Sequence, residues 1–155
     1  MMTDVGAAGE LTVLIAEDDD GHAELIMDNL REAGVLNRMR RFKDGQETLD
    51  FFFAQDAERK REKGRAYLLL LDIRMPKVDG VEVLRRIKAD PEFRDLPIVM
   101  LTTTDDPREI KNCYSLGCNC YVTKPVQYDR FAEMLRRLGL FVVIVQVPGL
   151  EGEAL

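Results

Sequence analysis

Four consecutive leucines, Leu68 to Leu71, have neither the 3.6-residue period of an amphipathic helix nor the alternation of a half-exposed strand. A run apolar on both sides suits a strand covered on both faces, as in the middle of a parallel sheet. It ends abruptly in Asp72, and Pro76, four residues later, prevents helical continuation. In open α/β sheets ligands bind in the crevice beyond the carboxyl ends of the strands, so Asp72 stands where a ligand would be met. Taken alone it could equally be an acid that merely closes a strand. The other strand ends decide between these readings.

In chain order, Leu11–Ala16 is a short apolar, β-branched run and reads as a first buried strand, followed by Glu17-Asp18-Asp19-Asp20. Ala23, Ile26, Met27, Leu30 and Ala33 then recur at helical spacing up to Gly34. Leu36–Phe42 alternates weakly and is rich in arginine, as an edge strand would be. A second helix begins near Gln46, with Leu49, Phe52 and Phe53 inward, and runs into the charged stretch Glu58–Lys63, a solvated helix end and loop. Tyr67–Asp72 is the central strand. After the turn Val78-Asp79-Gly80, a third helix covers Val81–Ala89 with Leu84 and Ile87 inward, and Asp90-Pro91 ends it. Pro97–Leu101 is a fourth strand leading into Thr102-Thr103-Thr104. Asp105 or Asp106 caps a fourth helix that carries Pro107 in its first turn and buries Ile110, Cys113 and Tyr114 before stopping at Gly117. Cys120–Thr123 is a fifth strand closed by Lys124-Pro125, and the last helix buries Phe131, Met134, Leu135 and Leu138. Strands that alternate with helices imply right-handed parallel crossovers. The predicted fold is α/β, a five-stranded parallel doubly wound sheet with helices on both faces. Residues 1–10 form a flexible N-terminal segment, 11–138 the domain, and 139–155 an apolar C-terminal extension.

Composition removes several functions. At 155 residues, 46% hydrophobic and 32% charged, the chain reads as one soluble globular domain. A net charge of −6 gives no electrostatic help onto nucleic acid. The two short basic clusters, Arg38–Arg41 and Arg59-Lys60-Arg61, read as solvated surface. No apolar run is long enough to span a membrane, and residues 1–10 lack the basic start and apolar core of a secretory signal, so a cytoplasmic location is expected. Cys113, Cys118 and Cys120 lack the second pair or the histidine that a tetrahedral metal site needs, and read as small buried residues. His22, the sole histidine, reads as a surface residue near the mouth of the crevice.

Four strand ends deliver polar groups to one edge of the predicted sheet: Glu17 and Asp18, Asp72, Thr102, and Lys124. Two carboxylates about 4 Å apart repel by roughly 4 kcal/mol at an effective dielectric near 20, and three cannot all stay ionised without a counter-charge or a proton. An all-oxygen donor set with open positions suits Mg²⁺. A carboxylate so placed can attack phosphorus and form an aspartyl phosphate. Lys124 offers a positive charge to a phosphoryl oxygen, and Thr102 a hydrogen bond to the same group.

In these features the sequence resembles the receiver domains of two-component response regulators. Glu17-Asp18, Asp72 followed by Met75-Pro76 and Asp79-Gly80, Thr102, and Tyr121-Val122-Thr123-Lys124-Pro125 carry the match, which spans about Leu11–Leu138. The resemblance implies a flavodoxin-like strand order 2-1-3-4-5. It implies that Asp72 accepts a phosphoryl group from the phosphohistidine of a histidine kinase. Asp18 and Asp72 would then bind Mg²⁺ directly with the backbone carbonyl of Arg74, while Glu17 holds a metal-bound water. Thr102 and Tyr121 would form the switch pair, Lys124 would pair with the phosphoryl oxygens, and Lys124-Pro125 would be joined by a cis peptide. Two departures stand out: Glu17 replaces the usual aspartate, and Arg74 puts a large cation at the pocket rim.

Phe141–Pro148 is an apolar, β-prone strip beyond what a receiver needs. Together with Cys113–Gly117 it resembles the single-domain regulators paired with bacterial phytochrome histidine kinases, which implies a stand-alone switch. That resemblance and the strip point to a homodimer through the fourth and fifth helices and the extension. A metal-dependent aspartyl phosphohydrolase would need a second acid where Arg74 stands, and a non-switching adaptor has no need of the full acid–lysine set. A dinucleotide-binding fold is excluded because no glycine-rich turn follows the first strand.

Overall fold

The computed structural model describes residues 11–32, 34–57, 66–103 and 106–124, together with Asp129, Arg130 and Glu133. The elements are β1 (Thr12–Ala16), α1 (Asp20–Glu32), β2 (Met39–Phe42), α2 (Gly45–Phe53), β3 (Tyr67–Asp72), α3 (Gly80–Lys88), β4 (Ile98–Thr102), α4 (Pro107–Leu116) and β5 (Cys120–Thr123). The sheet runs β2-β1-β3-β4-β5 with every neighbouring pair parallel. This is the predicted flavodoxin-like order, with β3 at its centre.

Strand alternation divides the core into two layers. Val13, Ile15, Leu68, Leu70, Val99, Leu101 and Val122 pack with Ile26 and Leu30 of α1. Leu14, Leu69, Leu71, Ile98 and Met100 face the other way, onto α2, α3 and α4. All four leucines of β3 are at most 1% exposed. At roughly 1.5–3 kcal/mol per fully buried leucine, that strand anchors both layers. Under α2, Phe51, Phe52 and Phe93 form an edge-to-face chain with centroid spacings of 5.1 Å.

The helix boundaries follow from local chemistry. Asp44, Asp79 and Asp106 cap α2, α3 and α4 by accepting from the amides of Glu47, Glu82 and Arg108. Gly117 ends α4 at φ 108°, in the left-handed region. Several sequence expectations shift. Tyr114, expected to be buried, is 47% exposed, because α4 turns only a narrow stripe around Cys113 toward the sheet. Phe51 takes the inward place expected of Phe53, which is half-buried, since the aromatic chain draws in three adjacent positions. The strand expected from Leu36 begins only at Met39. Asn37 turns inward there to donate to the Leu11 carbonyl at 3.0 Å. The expected core residues of the last helix (Phe131, Met134, Leu135 and Leu138), the termini, Arg59–Arg61 and the Lys124-Pro125 peptide lie outside the described residues. Among the described residues, no helix is long and apolar enough to cross a membrane.

The turn after β3 is fixed by backbone crowding. The Gly80 amide donates to the Ile73 carbonyl at 2.7 Å, and a Cβ at Gly80 would lie 2.0 Å from the Asp72 carbonyl oxygen. Only glycine lets α3 start this close to the end of β3. Gly80→Ala should destabilise the fold by about 3 kcal/mol, lowering the melting temperature by roughly 6–12 °C for a domain of this size. An unshifted melting curve would show that the turn is free to move.

Candidate functional site

Three strand ends meet at one edge of the sheet. Glu17 follows β1 directly, Asp72 is the last residue of β3, and Lys124 follows β5. Alternation places all three in step with the positions that face α1. Thr102 and Tyr121 fall in step with the opposite layer, and Tyr121 packs half-buried against it.

The carboxylates of Glu17, Asp18 and Asp72 each offer an oxygen, and these oxygens lie within 4.8 Å of one another. Glu17 and Asp72 are 1% and 5% exposed, whereas Asp18 faces solvent. The Nζ of Lys124 donates to Glu17 Oε1 at 2.6 Å and to Asp72 Oδ2 at 3.3 Å. Its amide donates to the Thr102 carbonyl at 2.8 Å, tying the end of β5 to β4. Burial, and next the Glu17 charge, push the Asp72 carboxyl up to about 6 against the pull of Lys124. Burial by itself works against the Lys124 ammonium. The hydrogen bonds and charges of Glu17 and Asp72 outweigh it and raise its pKa.

Three carboxylates therefore face one ammonium, leaving two negative charges concentrated in a mostly buried crevice. This donor set fits a hard divalent cation, with Asp18 supplying the open, solvent-facing side. The sequence-predicted residues are thus partly united: Glu17, Asp18, Asp72 and Lys124 form one contact network, and Thr102 joins it through its backbone. The Arg74 side chain points elsewhere. Its exposed guanidinium approaches Glu109 of α4 at 3.8 Å across the rim.

Two neighbours were not predicted as part of the site. His22, half-exposed as expected, brings Nδ1 to 3.4 Å from the Lys124 Nζ. Arg41, expected to be solvated, is instead bound to the acidic loop after β1. The only sequence signal was an arginine cluster on an edge strand, which gives no hint of which arginine turns inward. The three cysteines are free and buried, and burial pushes the Cys113 and Cys118 thiols up to about 11 and 12. All three fill the core as packing residues.

Comparison with known proteins agrees with this geometry. The chain is 32% identical to the response regulator Rcp1 of Synechocystis, over 83% of this chain and 86% of that protein. A crystal structure of the Mn²⁺-bound form of Rcp1 superposes with a TM-score of 0.68 at 29% identity, covering 85% of this chain and 94% of that one. A response regulator receiver domain from Rhodospirillum rubrum is 48% identical with a TM-score of 0.70, covering 88% and 96% of the two chains. The bacteriophytochrome response regulator RtBRR is 34% identical with a TM-score of 0.76, covering 88% and 82%. The profile of the response regulator receiver domain matches residues 13–136. With that match across the sheet and its acidic edge, the chain belongs to the response regulator receiver family.

Proposed function

We propose that Asp72 is the phosphoacceptor of this receiver. In the transfer, an oxygen of the Asp72 carboxylate attacks phosphorus, the bond from phosphorus to the histidine nitrogen of the kinase breaks, and the imidazole leaves. The observation that carries this reading is the convergence of Glu17, Asp18 and Asp72 within 4.8 Å at the end of the central strand, with Lys124 as their common cation. Asp18, Asp72 and the backbone carbonyl of Arg74 would hold Mg²⁺, with Glu17 bound to it through water. When bound, the ion neutralises the charge that develops on the phosphoryl oxygens. Lys124 then turns from Glu17 toward the phosphoryl group, to which Thr102 donates its hydroxyl. Tyr121 follows as the second member of the switch pair. Phosphorylation adds nearly two negative charges, which biases the face formed by α4 and β5.

Receivers pair with histidine kinases, and the likeness to RtBRR supports a phytochrome-type kinase as the partner in this case. The exposed Tyr114 on α4 and the apolar strip Phe141–Pro148 support a homodimer through the fourth and fifth helices and the extension. A cytoplasmic location suits a partner of that kind. Removing residues 141–155 should convert dimers to monomers in light scattering, and an unchanged mass would remove the strip from the interface.

Acetyl phosphate should label the protein only with Mg²⁺ present, and Asp72→Asn should abolish the label. Label persisting in that variant would move the acceptor elsewhere. The titration of Asp72 gives a second test. Its folded pKa of about 6 lies above the ordinary aspartate value of 3.8. The unfolded chain therefore loses this proton first as pH rises, and the group costs stability progressively between about pH 4 and 6. Above that window, in metal-free buffer, Asp72→Asn should be more stable than the native protein by about 1–3 kcal/mol, with the gain vanishing below about pH 4. A variant no more stable at pH 7 than the native protein would mean that the Asp72 charge is fully compensated by Lys124.

A further inference from the structure

Arg41 is the third residue of β2, in register with Ile15 of β1. Its neighbour Arg40, also in β2, spreads over the Phe51 ring at 5.1 Å. The side chain of Arg41 is only 16% exposed. Its Nε donates to the backbone carbonyl of Glu17 at 2.9 Å, and its Nη1 to the Asp20 carboxylate at 2.6 Å. The Nη2 atom is buried with no hydrogen-bond partner among the described residues. The next residue, Phe42, accepts from the Glu17 amide at 3.1 Å. The end of β2 thus holds Glu17 at both its amide and its carbonyl, and it holds Asp20 on the far side of the loop.

Asp18 lies between those two anchors. Inside the loop, the Asp19 amide donates to Glu17 Oε2 at 3.1 Å, and Asp19 accepts from the His22 amide at 2.9 Å. Neither bond fixes Asp18, whose carboxylate faces solvent. Four consecutive acids repel one another and would drive an untethered loop apart. A planar guanidinium holds two acceptors on a rigid fork, whereas an ammonium carries rotatable donors on a flexible stem.

We propose that Arg41 is a positioning residue for the divalent cation: by clamping Glu17 and Asp20 together, it holds Asp18 at the distance from Asp72 at which both can share one ion. The inference rests on reading Glu17, Asp18 and Asp72 as the cation site. Arg41 acts through the loop and touches neither the ion nor the phosphoryl group.

The sign of the effect separates this role from simple electrostatics. Deleting a positive charge near a cation site should tighten Mg²⁺ binding if charge alone counted. Loss of the clamp should weaken it, by about tenfold, as is common for residues that orient metal ligands. Calorimetric titration of the full chain with magnesium chloride, well below the melting temperature, reads that sign directly. In Arg41→Met the dissociation constant should rise about tenfold, and the half-saturating Mg²⁺ for acetyl phosphate labelling should rise with it. Arg41→Lys keeps the charge but not the fork, and should fall closer to Arg41→Met than to the native protein. It carries the test if the methionine variant does not fold. Asp20→Ala should weaken binding less, because that carboxylate is 85% exposed. Tighter or unchanged binding in Arg41→Met, or native affinity in Arg41→Lys, would overturn the clamp. A native protein that binds no Mg²⁺ would overturn the reading of the site, and the clamp with it.

Discussion

The ammonium of Lys124, bound to Glu17 and Asp72, is the contact on which the site depends. It joins residues 107 positions apart in the chain and brings together the ends of β1, β3 and β5. Removing the lysine would leave the buried Glu17 and Asp72 carboxylates without a counter-charge, which is far costlier than losing an exposed ion pair. The same contact leaves the site incomplete, because one cation faces three carboxylates. The fold holds this cluster together with a proton-prone Asp72 and a lysine that spans two acids. A divalent ion can relieve both conditions.

The sheet puts the proposed acceptor cluster and the proposed switch pair in step with opposite layers. Glu17, Asp72 and Lys124 follow the alternation of the α1 layer, while Thr102 and Tyr121 follow that of the α2–α4 layer. The two sets communicate where β4 meets β5, through the Lys124 amide on the Thr102 carbonyl. A shift in the lysine is therefore coupled to the residue that ends β4. The turn after β3 allows little slack, because Gly80 packs directly on the Asp72 carbonyl. Under the proposed phosphorylation of Asp72, change would be steered toward β4, β5 and α4 and away from the start of α3.

Much of the fold was legible in the sequence, because it is written in local signals. A leucine run with no period can only be a doubly covered strand or a buried helix, and the carboxylate and proline that follow it decide for the strand. Aspartate caps and Gly117 marked the helix ends for reasons that act within a few residues. Where packing chose among equivalents, the sequence was silent. Phe51, Phe52 and Phe53 are chemically alike, and nothing local foretells that Phe51 turns inward onto Tyr67 while Phe53 stays half-buried beside Phe93. Tyr114 has the spacing of a core residue, but α4 lies on the sheet along a narrower line than its pattern allows.

The sequence by itself determined the strand order's ingredients, the acids at the strand ends, and the chemistry that such acids can perform, since these follow from residue type and short-range spacing. Only the tertiary structure decided which cation meets which acid. The end of the fifth strand marks Lys124 but not the acids it meets, and nothing local distinguishes Arg41 among the many basic residues of an acidic chain. Their roles arise from parallel register, which sets Arg41 beside the loop after β1 and carries Lys124 over the end of β3. Long-range pairing of this kind is a property of the assembled sheet, because it depends on separations that no single segment encodes.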